Sequence, residues 1–310
     1  MAKKKKKVAV KGPDSVGTKQ RPVHTEILVR PIHRGVNDIG SWRSALRLAD
    51  LGNRTKLYDL FTDLLIDGYL SDAIDKRIDA VTDADLAFTI DGKQVDEMDA
   101  LMDTPEFESL LREIMLSRFW GVSLVECLFL DGFGFKSIPR KHIRTKTKEI
   151  AIREEDEHGI PYADNDLIIQ FGSDDDFGIL LRAAPFVIYK RGGFGDWAQF
   201  VELFGMPQRI GKYSSMDEQS RRALIQAFEE AGSAPYLVIP KETEATQTTL
   251  SSSGNGALYN DFRNACNEEI LITVLGQTMT TQDGSSLAQG QVHMAVQEKK
   301  HRADRRFVER

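Results

Sequence analysis

Three consecutive carboxylates, Asp174, Asp175 and Asp176, are the residues of this chain best suited by type to chemistry. Clustered acids can hold a divalent cation and position a hydroxide. Their spacing argues the other way. Consecutive side chains point in different directions, whereas a metal-dependent nuclease gathers its acids from separated strands. No matching Asp or Glu motif stands elsewhere, so a solvated loop is the better account. The glycine-rich stretch Arg191-Gly192-Gly193-Phe194-Gly195-Asp196 lacks the Gly-Lys-Ser/Thr ending of a phosphate loop, and it reads as a turn between two helices. Of six histidines, only His293 and His301 share a predicted helix, and two turns of separation is too far for one metal. Neither GxSxG nor HExxH occurs. Cys127 and Cys266 have no CxxC or Cys/His neighbours, which predicts two buried thiols and no zinc site.

A different kind of candidate lies at 277–286, a run of Thr, Gln, Ser and Gly with the single charge Asp283. It is small, polar and rich in hydrogen-bonding groups. At ten residues it exceeds the usual 2–8-residue helix connection, and long polar loops between rigid helices tend to carry function. Gly276 and Gly284 can act as its hinges.

Periodicity supplies the elements that would position these residues. Helices are predicted over 42–50, with Ser41 as N-cap, over 56–68 with Leu57, Leu60, Phe61, Leu64 and Leu65 facing a core, and over 71–82. A strand at 86–90 ends on the turn pair Asp91-Gly92. Pro105 opens a helix to 119 after the cap Thr104. Strands at 123–130 and 133–138 form a hairpin, and 140–166 is a small polar β-rich excursion before a short buried strand at 167–171. A long helical stretch, 179–204, precedes a compact β-α-β unit with strands at 209–213 and 236–239 around a helix at 216–231. Residues 242–256 read as a loop, 257–275 as a strong helix ended by Gly276 as its C′ residue, and a last helix runs from Leu287 to 310. Its end, His301–Arg310, carries neither glycine nor proline as a stop signal, which predicts a truncated chain or an end held by neighbours. The pattern as a whole is α+β.

Charge is unevenly spread over the 310 residues. The net charge is −6, yet residues 1–34 hold ten Lys and Arg against two acids, a local +8 that leaves −14 for the remainder. Such asymmetry marks an interaction tail. Lys3, Lys4, Lys5, Lys6 and Lys7 form a basic run able to meet phosphates, in an otherwise extended, flexible arm covering 1–40. No run of about 18 apolar residues occurs, which excludes a membrane-spanning helix, and the first residues lack a secretory signal's apolar region.

Two blocks together carry a family resemblance. The stretch from Asp196-Trp197-Ala198-Gln199-Phe200-Val201-Glu202-Leu203-Phe204 through Gly205-Met206-Pro207-Gln208-Arg209 to Tyr213 resembles the most recognisable part of Mu-like phage portal proteins. So does Val274-Leu275-Gly276-Gln277-Thr278-Met279-Thr280-Thr281-Gln282-Asp283-Gly284-Ser285-Ser286-Leu287, preceded by Asn267-Glu268-Glu269-Ile270 and followed by a helix with His293. The similarity in type and order extends over 40–310. Neither block is a catalytic motif.

The resemblance implies a structural subunit, not an enzyme, with no cofactor and no metal. It implies a ring, commonly dodecameric, at the capsid vertex of the virion, assembled in the host cytoplasm. DNA would be packaged and ejected through it. On this sequence the resemblance places an α/β wing at 41–180, a first stem helix region at 181–206 and a small β-α-β clip at 207–240. It places a linker and second stem helix at 241–276, a tunnel loop at 277–286, and the start of a C-terminal wing or crown helix at 287–310. The family's crown is otherwise absent. Thr278, Thr280, Thr281, Gln282, Asp283, Gly284 and Ser285 would then face double-stranded DNA in the channel. Arg209, Lys212, Arg221, Arg222, Glu229 and Glu230 would dock terminase and the neck or head-tail connector proteins. The basic arm would meet the major capsid protein, the scaffold or neighbouring copies, and no membrane is implied. The alternative is a metal-dependent nucleic-acid enzyme, a nuclease, built on 174–176.

Overall fold

Asp38 starts the first α-helix: its carboxylate accepts the Ser41 amide at 2.6 Å, and that bond holds the carboxyl below its ordinary range. The cap is therefore Asp38 and not Ser41, because only a residue in extended conformation ahead of the helix can turn its side chain back onto the free amides. The computed structural model describes residues 22–30, 38–129, 133–204, 209–214, 216–230, 236–241, 252–277 and 287–309. Helix α1 (Ile39–Asp50) is followed by α2 (Thr55–Leu64) and α3 (Gly68–Thr82). The predicted helix over 56–68 stops at Leu64, since Asp67 caps α3 by accepting the Tyr69 and Leu70 amides.

A two-strand hairpin, β1 (Thr89–Ile90) and β2 (Lys93–Gln94), turns at Asp91 and Gly92, both with positive φ as a tight hairpin turn demands. Helices α4 (Asp96–Met102) and α5 (Pro105–Trp120) follow, the latter capped by Thr104 as its sequence predicts. Strands β3 (Val122–Leu128) and β4 (Gly134–Ile138) form the expected hairpin. A small sheet of β5 (Ile143–Arg144), β6 (Glu149–Ala151) and β7 (Gly159–Pro161) precedes β8 (Ile168–Gly172). β8 pairs antiparallel with β3, giving the order β4-β3-β8. Then come α6 (Leu180–Phe204), β9 (Arg209–Tyr213), α7 (Glu218–Glu230), β10 (Tyr236–Pro240), α8 (Ser252–Leu275) and α9 (Leu287–Val308). Helices beside small sheets make this an α+β protein.

The described residues divide into two units, one drawn from Met1–Ile188 with Asn267–Arg310, the other from Tyr189–Cys266. The first unit's core surrounds the rings of Tyr58, Phe61 and Trp120, whose centroids lie 5.7–6.3 Å apart. Met115, Phe119, Leu124, Ile138 and Ile150 fill it from the neighbouring elements, and Ile270, Leu271 and Val274 enter from the end of α8. Gly121, with φ +92, lets α5 pass into β3 where a Cβ would lie 2.1 Å from the Asp176 carbonyl oxygen. Helix α9 is clamped through Asp304, fully buried, whose carboxylate takes both Nε and Nη2 of Arg77 (2.8 and 2.6 Å) and Nη1 of Arg118 (2.6 Å).

Several expectations change. The 167–171 strand is not buried: β8 is an edge strand with one covered face, so Leu167 and Ile169 are exposed. The polar excursion at 140–166 contributes Ile143, Ile150 and Tyr162 to the core. Residues 252–256, read as loop, are helical, because propagation from a strong helix adds a hydrogen bond per residue and overrides weak propensity. Residues 22–30, within the predicted arm, lie against the body. Val23 is buried, and its amide and that of His24 both donate to the Glu126 carboxylate, at 2.6 and 3.0 Å. Cys127 and Cys266 are free, buried thiols. No helix among the described residues is long and apolar enough to cross a membrane.

Candidate functional site

The second unit is built around the β-α-β segment. β9 and β10 pair in parallel, Arg209 opposite Tyr236 through Tyr213 opposite Pro240, which requires the intervening helix to cross over one face. Asp217 caps α7 by accepting the Ser220 amide at 3.0 Å and the Ser220 hydroxyl at 2.5 Å, and these bonds lower its carboxyl's pKa. Gly211 permits the close approach of helix to sheet: a Cβ there would sit 2.9 Å from the Phe228 ring and 3.4 Å from Leu224.

On this frame Lys212, Arg222, Glu229 and Glu230 are exposed. Arg221 pairs with Glu218 at 2.8 Å and Arg222 approaches the same carboxylate at 3.8 Å, while Gln226 donates to Glu230. Arg209 is the first residue of β9. Asp217 and Glu218 suit the helix dipole at the start of α7, but its C-terminal end runs against it. Two arginines stand in the first half of α7, two glutamates in its last turn, and no basic residue is there to offset the carbonyl end. The two terminal glutamates are not arranged for helix stability.

The glycine run at 191–196 is a correction. It is not a turn, since α6 continues through it. Interior glycines cost a helix about 1 kcal/mol each relative to alanine, but Gly193 is needed: a Cβ would lie 2.8 Å from the Phe262 ring of α8. Farther along, the rings of Phe200 and Tyr259 lie 6.0 Å apart, so within this unit the two helices pack side by side.

Thr278, Thr280, Thr281, Gln282, Asp283, Gly284 and Ser285 lie outside the described residues, as do Lys3, Lys4, Lys5, Lys6 and Lys7. The approach to the polar segment is described. Gly276 adopts φ +80 and donates to the Ile272 carbonyl at 2.9 Å, the C′ geometry its sequence predicts. Gln277 is buried and donates to Gln297 of α9 at 3.0 Å, tying the end of α8 to the helix beyond the segment.

The three aspartates do not converge. Asp174 takes Lys148 at 2.5 Å and Gln170 at 3.0 Å, Asp176 accepts the Gly178 amide at 2.8 Å, and Asp175 faces solvent. Their turn is held from below by Arg54, a buried residue that sequence reasoning missed. Its guanidinium donates to the backbone carbonyls of Asp174 and Asp176 and lies 4.6 Å from the Phe177 ring centroid. Among the described residues, no three His, Cys, Asp or Glu side chains form a group able to hold a metal. Also missed was Arg77, although a signal existed: it falls on the same helical stripe as Leu70, Ile74, Ile78 and Val81, where a cation must find a buried partner.

Compared with known proteins, residues 58–310 match the model of a family described as portal protein of Mu bacteriophage. The portal protein of Escherichia phage Mu is 29% identical over 123 residues, 39% of this chain and 24% of that protein. The Mu-like prophage FluMu protein gp29 of Haemophilus influenzae is 29% identical over 124 residues, again 39% of this chain and 24% of the relative. The aligned stretch thus spans about a quarter of the length of these curated relatives.

Proposed function

This chain belongs to the family of portal proteins of Mu bacteriophage, and on that premise we propose that it is a structural, non-enzymatic portal subunit that assembles with copies of itself into a ring, dodecameric in the complete form, at the capsid vertex. The ring is the channel for DNA packaging and ejection. It is also the platform on which terminase and the neck proteins dock.

The observation that carries this reading is the insertion of a β-α-β unit between two long helices, α6 and α8, with a polar segment directly after the second. In this reading α6 and α8 are the stem pair, and 207–240 is the clip that presents Lys212, Arg221, Arg222, Glu229 and Glu230 to partners. Residues 41–180 are the wing, and 277–286 is the tunnel loop. Glycine-mediated packing of Gly193 on Phe262 and the Phe200–Tyr259 contact suit paired stem helices, because both bring the two helices close through aromatic side chains. A body with a net −14 outside the first 34 residues suits a conduit, since a surface that neutralised many phosphates would hold DNA by counterion release and stall its passage.

Negative-stain imaging of the purified chain tests the proposal. Rings with a central hole are expected, and particles that remain compact monomers at every concentration would overturn it.

A further inference from the structure

A cleft of about 650 Å³ opens in the first unit, and five cations from four helices surround it: Arg77 of α3, Arg118 of α5, Arg182 of α6, and Lys300 and Arg306 of α9. Two acids stand against them. Asp304 beneath the cleft is fully committed to Arg77 and Arg118, and Asp176 on the wall accepts the Gly178 amide. Five positive charges against two negative leave an excess of three. Among the described residues, Arg182, Lys300 and Arg306 have no carboxylate partner, and the only bond Lys300 makes from its ammonium is to the Val274 carbonyl at 3.1 Å.

Burial pushes the Lys300 ammonium down to about 8, reinforced by Arg77, Arg118 and Arg182 and opposed by Asp304, so the cleft interior is a region of uncompensated positive potential. Arg118 and Lys300 are half-buried, Arg182 and Arg306 exposed, so the donors run from the depth of the recess to its rim.

The geometry points to a phosphate-binding site in this cleft, formed by Arg118, Arg182, Lys300 and Arg306, which takes a phosphate group either free or as a terminal monoester. A single carboxylate would offset one of the three excess charges. A phosphate carries close to two and offers three acceptor oxygens to planar guanidinium forks. The volume exceeds that of one phosphate and leaves room for the organic part of an ester.

Calorimetric titration of the full chain with inorganic phosphate, and separately with adenosine monophosphate, at constant ionic strength tests it. Saturable binding at one site per chain is expected for at least one probe, with acetate giving none. Tighter binding of the monophosphate marks an ester as the source, and equal or tighter binding of inorganic phosphate marks the free ion. The double variant Arg182→Gln/Arg306→Gln, altered only at exposed side chains, should bind more than about tenfold more weakly, the loss of two charge-assisted contacts. On the unaltered chain, phosphate should shift upward the pH at which Lys300 becomes reactive to an amine-acylating reagent, read by peptide mass mapping. No saturable binding of either probe, undiminished binding by the double variant, or a Lys300 profile unmoved by phosphate would each overturn the assignment.

Discussion

Asp304 shows what single residues contribute to this molecule. A fully buried carboxylate is tolerated because three guanidinium N–H groups from Arg77 and Arg118 reach it within 2.6–2.8 Å, and Arg77 also donates to the Val274 carbonyl at the end of α8. Arg77→Met removes the buried partner and leaves the acid to Arg118 alone, at an expected cost of about 3–5 kcal/mol. Thermal denaturation should show that loss, and the double variant Arg77→Met/Asp304→Leu should recover most of it. A single variant as stable as the parent would mean that the pair does not hold α9. Lys300 works in the opposite sense. Its folded pKa of about 8 lies below the ordinary 10.5, so between those values the unfolded chain binds a proton that the folded one lacks. Stability attributable to this residue therefore rises with pH across that window, and below pH 8 its full cost is present. Lys300→Met is expected to raise the thermal midpoint at pH 7, and the advantage should shrink from pH 8 towards 10. A difference that stays constant with pH would refute the linkage.

At the scale of elements, α7 is the informative case. Its apolar side rests on the sheet through Leu224 and Phe228, which approach Gly211, and charged or polar residues such as Arg222, Gln226, Glu229 and Glu230 are exposed. Asp217 and Glu218 suit the start of the helix, but Glu229 and Glu230 oppose the dipole at its end, where no basic residue offsets them, and that exposed acidic end is better explained by contact with other molecules than by local stability. Reversing Arg221 and Arg222 to Glu should abolish or strongly weaken co-sedimentation with terminase or neck proteins while rings still form. Within the isolated chain the change should shift stability by no more than about 1 kcal/mol, since exposed ion pairs such as Arg221 with Glu218 contribute little. Undiminished binding of both partners would remove 207–240 from the docking surface.

For the whole molecule, the proposed channel function concentrates on 277–286. Its approach is fixed: Gly276 closes α8, and the buried Gln277 is bonded to Gln297 of α9. Thr280, Gln282 and Asp283 in this reading touch passing DNA without gripping it. Replacing all three with Lys should leave ring assembly unchanged and slow packaging or ejection, most at low salt, where phosphate attraction is least screened. Wild-type rates of DNA passage in low salt would show that the segment does not face the channel.

The sequence by itself determined most of the elements, the α+β class and the family, because periodicity, caps and turn pairs are local. Thr104 before Pro105, Asp91-Gly92 and the closing Gly276 stand where their chemistry predicts. The two family blocks were equally legible, being contiguous runs. Tertiary structure alone decided the rest. Whether Gly192 and Gly193 break a helix depends on the Phe262 ring that Gly193 must admit, and whether Ile169 is buried depends on β8 falling at a sheet edge. The cationic cleft was invisible in the chain for the same reason. Arg118, Arg182 and Lys300 are separated by 64 and 118 residues along the sequence, and only the packing of α5, α6 and α9 brings them around one space. Charge excess is a property of that space, since the field at a point sums over every group nearby without regard to order in the chain.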